Sequence, residues 1–358
     1  MSSPTAGQRV ALLGFGLAGE AFHAPLIDAA PGLALASVVT SDPERAGRAR
    51  ECYPGVEVLA SASELWPRAA DHELAVVAAP NRVHVELALA ALEAGLPVVV
   101  DKPLASSAVE ARELEEASSR AGLMLAVFQN RRWDGDFLTA RRLADDGALG
   151  ELYRLESRFE RWRPAVREDA WREHGDRAEA GGVLFDLGSH LIDQALVLLG
   201  PVSTVYAEVR RRRPGAAVDD DSFVALGHAS GASSLLWMSQ ATARPGPRMR
   251  LLGSRAAYVK WGLDVQEAAL RSGDPALPRP GEPGWGEEPA EAWGSLGTEE
   301  DSRPVRTEPG DYLAFYRGVE HALREGGPPP VAAGEAVQAL EVIEAAFESS
   351  ERAEVVRV

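Results

Sequence analysis

Three side chains in this sequence have the types and spacing to move a proton at a hydroxyl group. In the stretch 181–200, GGVLFDLGSHLIDQALVLLG, Asp186 and His190 lie four residues apart, one helical turn, and Asp193 extends the stripe. A carboxylate one turn before an imidazole can hold the ring in one tautomer and stabilise its charged form, which suits a general acid or base. The plainer alternative is a capping aspartate beside a hydrogen-bonded core histidine. The third side chain, Lys102, follows an apolar stretch and precedes Pro103. A lysine at such a strand end can donate to a hydroxyl or alkoxide; its alternative is a surface lysine.

These residues need elements to hold them. Leu184, Leu187, Leu191, Ala195 and Leu198 recur every three or four positions, which predicts a helix over 182–199 with one apolar face, stopped by Gly200-Pro201. Ahead of it, strand and helix patterns alternate. Strands are predicted at 9–16, 33–40, 56–59, 74–79, 97–100 and 124–128, with helices between them, implying right-handed crossovers and a doubly wound parallel sheet. Ligands of such sheets bind at the carboxyl ends of the strands. The polar residues at those ends are Asn81, His84 and Lys102.

The first strand runs into Gly14-Phe15-Gly16-Leu17-Ala18-Gly19, a G-x-G-x-x-G placed before a helix. Gly14 allows a tight turn, Gly16 lets backbone approach a pyrophosphate, and Gly19 lets the helix pack close to the strand. NAD-selective sites carry an acidic residue about 20 positions further on. Here Val39-Thr40-Ser41 stand in that place, Asp42 reads as a helix N-cap, and Arg45 follows one turn later. Hydroxyls with a nearby arginine suit a 2′-phosphate, so NADP is expected over NAD.

After Phe128 the alternation stops. Gln129-Asn130-Arg131-Arg132-Trp133-Asp134 forms a polar cluster, and long strands follow from 151 onward. The expected second unit, 129–358 after a dinucleotide-binding unit at 1–128, is an α+β domain with a large open, mostly antiparallel sheet and the 182–199 helix on one face. Its other face is free for solvent or another subunit. Asn130, Arg131, Trp133, Trp162, Arg163 and His174 are candidate substrate contacts. The Pro/Gly/acid-rich segment 264–308, with Trp285 and Trp293, is expected to be a lid or mobile. Arg211-Arg212-Arg213 and Asp219-Asp220-Asp221 read as charge pairing across a turn.

Composition sets outer limits. A net charge of −17 argues against nucleic acid and anionic membranes as partners. No apolar run reaches the ~18 residues that span a bilayer. The single cysteine, Cys52, excludes a disulfide framework and thiolate zinc clusters and suits a reducing cytoplasm. The N-terminal MSSPTAGQR has no apolar core of the kind a secretory signal needs. No metal is expected.

GFGLAG at 14–19, PNRVH at 80–84, DKP at 101–103 and the D-x-G-S-H of 186–190 together resemble the Gfo/Idh/MocA oxidoreductases over essentially the whole chain. GFGLAGEAFHAPL from 14, NRRWDGDFLT from 130, DLGSHLIDQ from 186 and Thr40-Ser41 resemble in particular the branch of NADP-dependent scyllo-inositol 2-dehydrogenases. The resemblance implies a Rossmann domain plus an α/β domain, assembly as dimers or tetramers, and a lysine, an aspartate and a histidine acting on a sugar or cyclitol hydroxyl. Those positions fall on Lys102, Asp186 and His190. It also implies cofactor contacts at Pro80 and Asp101. The family usually has glutamate before the lysine, so the carboxylate of Asp101 is one methylene shorter.

Overall fold

The computed structural model describes residues 7–166, 173 and 177–358. Six strands, β1 (Gln8–Leu13), β2 (Leu33–Val39), β3 (Glu57–Leu59), β4 (Leu74–Val77), β5 (Val98–Asp101) and β6 (Leu125–Phe128), form one sheet in the order β3-β2-β1-β4-β5-β6. Every pairing in it is parallel. The Val, Leu and Ala residues of β1, β4 and β5 are buried on both faces, as strands covered by helices on each side must be.

The connecting helices begin where their caps dictate. α1 (Ala24–Ala29) continues a wide π-helical turn over Gly19–His23. In α2 (Pro43–Cys52), Pro43 occupies the first turn and the Asp42 carboxylate accepts the amides of Glu44 and Arg45. α3 (Ala62–Leu65) and α4 (His84–Glu93) follow. α5 (Ala108–Ala121) is capped by Ser107, whose hydroxyl oxygen accepts from the Glu110 amide. After α6 (Gly135–Asp145) the architecture changes.

The second sheet has nine strands. β7 (Leu152–Glu160), β8 (Val202–Arg210), β9 (Asp221–His228), β10 (Ser233–Ser239), β11 (Met249–Gly253), β12 (Ala257–Lys260), β13 (Gly294–Gly297), β14 (Ser302–Val305) and β15 (Val356–Arg357) lie in the order β14-β13-β12-β11-β7-β10-β9-β8-β15. Among its described strands only β7 and β10 pair in parallel. α7 (Ser189–Leu199) packs against it, preceded by a second π-helical turn at Leu184–Gly188. Later in the chain come α8 (Gln266–Ser272), α9 (Leu313–Glu325) and α10 (Ala333–Arg352). α10 ties the two sheets together: the Glu344 carboxylate accepts the Ala108 amide at 2.8 Å, and the Ser349 hydroxyl oxygen accepts the Ala207 amide at 3.0 Å.

The 264–308 segment differs from expectation. Instead of a lid or a mobile loop it supplies α8 and two more sheet strands, β13 and β14. Trp285 within it is buried, its indole N–H donating to Gln266 at 3.1 Å. The arginine–aspartate runs do pair across their turn, Arg213 with Asp220 at 2.9 Å and Arg212 with Asp221 at 3.1 Å. No helix among the described residues is long and apolar enough to cross a membrane.

Candidate active site

The carboxyl ends of β1 and β5 face the start of α7 across a cavity of about 260 Å³. On the first-sheet side its wall is the glycine loop, with Leu17 and Ala18 exposed to the space, and Asp101 and Lys102 at the end of β5. Gly14 has φ +103°, and a Cβ there would lie 2.6 Å from the Ala78 carbonyl oxygen. A Cβ on Gly19 would lie 2.1 Å from the Gly14 carbonyl oxygen. At Gly16 the nearest atom is Nη1 of Arg45, 3.7 Å away, so this backbone stays open to a ligand. Phe15 is buried in the core. Thr40 and Ser41 end β2 beside the loop, and Arg45 is held at its rim by Asp42 at 3.5 Å. Bare backbone, a following helical turn and a guanidinium at the edge fit a dinucleotide with its phosphates.

Lys102 reaches across the cavity. Its ammonium donates to the backbone oxygen of Asp186 at 2.5 Å and to the carboxylate at 3.1 Å. This corrects the expected Asp186–His190 pairing. The π-helical turn over Leu184–Gly188 breaks the 3.6-residue spacing, and Lys102 takes the carboxylate. The imidazole of His190 is held by Gln129 instead, Nδ1 to Oε1 at 3.1 Å. Nor is the ring charged: burial, and then the cations Lys102, Arg131, Arg248 and Arg161, hold His190 well below its ordinary pKa. Asp193 belongs to a separate ion pair with Arg132 at 2.7 Å.

The start of the helix is pinned from the second sheet. The Asp219 carboxylate accepts the Leu184 amide at 2.8 Å and the Ser222 hydroxyl at 2.9 Å, and burial pushes its pKa up to about 6. Behind His190, the ring of Phe159 takes two guanidiniums against its face, Arg131 at 4.8 Å and Arg248 at 4.2 Å. Arg131 is fixed by Asp134 at 3.3 Å and by Glu267 on α8. Burial and the neighbouring Asp264 and Asp136 push Asp134 up to about 8, against the pull of Arg131.

Asn130, Arg131, Arg163, Asp186 and His190 all line the cavity. Trp133 does not; it packs on Phe315, ring centroids 5.7 Å apart. Trp162 points away and is 56% exposed, because Arg161 and Arg163 on either side take the inward positions of an extended segment. His84 is fully buried, with its ring nitrogens 2.9 Å from the carbonyl oxygens of Pro103 and Ala79, so it braces two strand-end turns. Asn81 is buried next to it after Pro80, and its amide reaches the Glu179 carbonyl at 3.5 Å. The Asp101 carboxylate accepts its neighbour's amide at 2.9 Å; burial opposes its charge, but His23, His84 and Lys102 outweigh that and hold its pKa down. His174 lies outside the described residues. Gln129, Arg161, Glu267 and Arg271 are among the site residues missed from sequence. Gln129 was legible as part of the polar cluster, whereas nothing local marks the other three. Among the described residues, no group of three or more His, Cys, Asp or Glu could hold a metal ion.

Comparison with known proteins gives this geometry a class. Residues 8–129 match the oxidoreductase family with an NAD-binding Rossmann fold, and residues 137–259 match the GFO/IDH/MocA C-terminal domain. The chain belongs to the Gfo/Idh/MocA family and is a dehydrogenase with an NAD(P)-binding Rossmann domain. It is 35% identical to the scyllo-inositol 2-dehydrogenase (NADP(+)) IolW of Bacillus subtilis, over 96% of this chain and 93% of that protein. It is 39% identical to the oxidoreductase YdgJ of Escherichia coli, over 96% of each. Its fold superimposes on that of the oxidoreductase YvaA of Bacillus subtilis with a TM-score of 0.91, at 33% identity over 99% of both chains.

Proposed function

We propose that this enzyme oxidises a secondary hydroxyl of a cyclitol or sugar, with NADP as the hydride acceptor. The observation that carries the reading is the convergence of Lys102 and His190 on one cavity that also borders the glycine loop. Bound at that loop, the nicotinamide dinucleotide supplies the acceptor for the hydride leaving the carbinol carbon. The residues supply placement and proton handling. With Nδ1–H donated to Gln129, neutral His190 offers the Nε2 lone pair to the substrate hydroxyl and takes its proton as the carbon–oxygen double bond forms. Lys102 donates to the same oxygen while Asp186 holds its ammonium in place. In the reverse direction His190 returns the proton.

Thr40, Ser41 and Arg45 support NADP: no carboxylate stands at the end of β2 to take ribose hydroxyls, and a guanidinium stands at the loop rim. Likeness to an NADP-dependent scyllo-inositol dehydrogenase supports both cofactor and substrate class. Assembly as a homodimer or homotetramer through the free face of the second sheet is part of the same reading. Phe223 and Trp237 stack there at 5.2 Å under Arg158. The lone exposed thiol, Cys52, supports a reducing, cytoplasmic setting.

Absorbance at the NADPH band tests the function, with each cofactor and a panel beginning with scyllo- and myo-inositol. Reduction of NADP in preference to NAD is the expected result. Silence across all polyols and sugars, with NADPH bound, would remove the assignment.

A further inference from the structure

Two of the cavity's cations have no counterpart among the described residues. Of its basic side chains, Lys102 pairs with Asp186 at 3.1 Å, Arg131 with Asp134 at 3.3 Å, and Arg271 with Glu267 at 3.2 Å. The side chains of Arg161 and Arg163 line the same space, and among the described residues neither has a hydrogen-bonding or ion-pair partner. Their backbone is fixed. The Arg161 amide donates to the Ser239 carbonyl and the Arg163 amide to the Gln240 carbonyl, each at 2.8 Å. The Arg163 carbonyl accepts from Arg213 at 3.1 Å, and Arg213 is itself anchored by Glu173 and Asp220. Strand alternation therefore holds both guanidiniums inward.

A partly buried guanidinium without an acceptor is costly. Burial lowers the pKa of Arg161, and Arg163 and Arg131 add repulsion that Glu267 and Asp186 offset only in part. A neutral polyol brings no charge to relieve this. A carboxylate or phosphate does, and it matches the planar fork of arginine in two parallel hydrogen bonds.

We propose that the preferred substrate carries an anionic oxygen group, a carboxylate or a phosphate, and that Arg161 binds it with Arg163 beside it. This rests on the hydride-transfer reading and narrows its substrate class from neutral polyols to polyol acids or phosphates. Lys102 and His190 then take the hydroxyl, while the two arginines set which molecule presents it.

The test compares matched substrates with NADP: D-glucose against D-glucuronate and D-glucose 6-phosphate, and myo-inositol against its monophosphate. An anionic member is expected to exceed its neutral parent in kcat/KM by about tenfold or more, with a KM that rises with added salt. Glucuronate ahead of glucose 6-phosphate identifies the group as a carboxylate; the reverse identifies a phosphate. In Arg161→Gln and, independently, Arg163→Gln, the preference should collapse toward parity while NADP affinity holds. Neutral parents faster in every pair would overturn the inference and leave the hydride reading standing. Weakened NADP binding in Arg161→Gln with the preference intact would assign the guanidinium to the cofactor and overturn it too. Calorimetric titration of the NADP-loaded enzyme with glucuronate and glucose 6-phosphate reads binding without turnover. Binding lost in Arg161→Gln supports the inference even if no NADPH forms, whereas no binding of either anion overturns it.

Discussion

At the glycine loop the cavity wall is backbone; across from the loop it is charged side chains. The glycine loop excludes even a methyl group at Gly14 and Gly19, yet puts no charge of its own before a ligand. Opposite it, Arg131, Glu267, Asp186 and His190 come from three separate segments, each held by a partner. The first wall is a shape, and it fails when atoms are added. The second is a set of pairings, and it fails when atoms are removed. A binding function that recurs with every substrate suits the first, and discrimination between hydroxyl compounds suits the second.

Mutations that exploit this difference separate the walls, the largest effect first. His190→Asn removes the proton acceptor and should lower kcat by about 10²- to 10⁴-fold, with little change in NADP affinity by fluorescence titration. The wild-type pH profile sharpens the same point. Because His190 titrates well below 6.5, kcat/KM for alcohol oxidation should stay level as pH falls through 6.5 and drop only at more acid pH. Stability follows with the same sign: the unfolded chain takes up the proton first, so the contribution of neutral His190 is present above pH 6.5 and is lost as pH falls below it.

On the backbone wall, Gly14→Ala and Gly16→Ala should diverge. At Gly14 a Cβ meets the Ala78 carbonyl and a left-handed φ, so thermal stability should fall by about 1–3 kcal/mol. At Gly16 the space is free, so stability should hold while NADP binding weakens. Equal melting temperatures for the two variants would contradict the shape argument. The smallest effect is expected at the rim. Arg45→Gln should cost NADP about tenfold in kcat/KM, close to 1.4 kcal/mol, while leaving NAD nearly unchanged. Because Arg45 is exposed, that difference should shrink in high salt.

The two walls also differ in how far they could be read from sequence. The six parallel strands, the G-x-G-x-x-G and the Asp42 cap are local patterns, each decided by neighbours within a turn or a strand. The D-K-P turn sets Lys102 just past the end of β5 for the same reason. The second wall is assembled from afar. Asp186 and His190 looked like partners because a regular helix was assumed, and a π-helical turn together with Lys102, 84 residues away, redirected both. Glu267 was hidden in a segment whose proline and glycine content suggested a loop. Trp133 and Trp162 looked like site residues by proximity in sequence, but packing on Phe315 and strand alternation turned them elsewhere.

In the proposed reaction, hydride leaves a substrate whose hydroxyl sits between Lys102 and His190. Stopped-flow absorbance at the NADPH band, comparing wild type with Lys102→Ala on the best polyol found, tests it most directly. Lys102→Ala should form NADPH at least about 10²-fold more slowly at saturating NADP, with the cofactor still bound. An unchanged rate in Lys102→Ala would contradict it and place the reacting oxygen elsewhere.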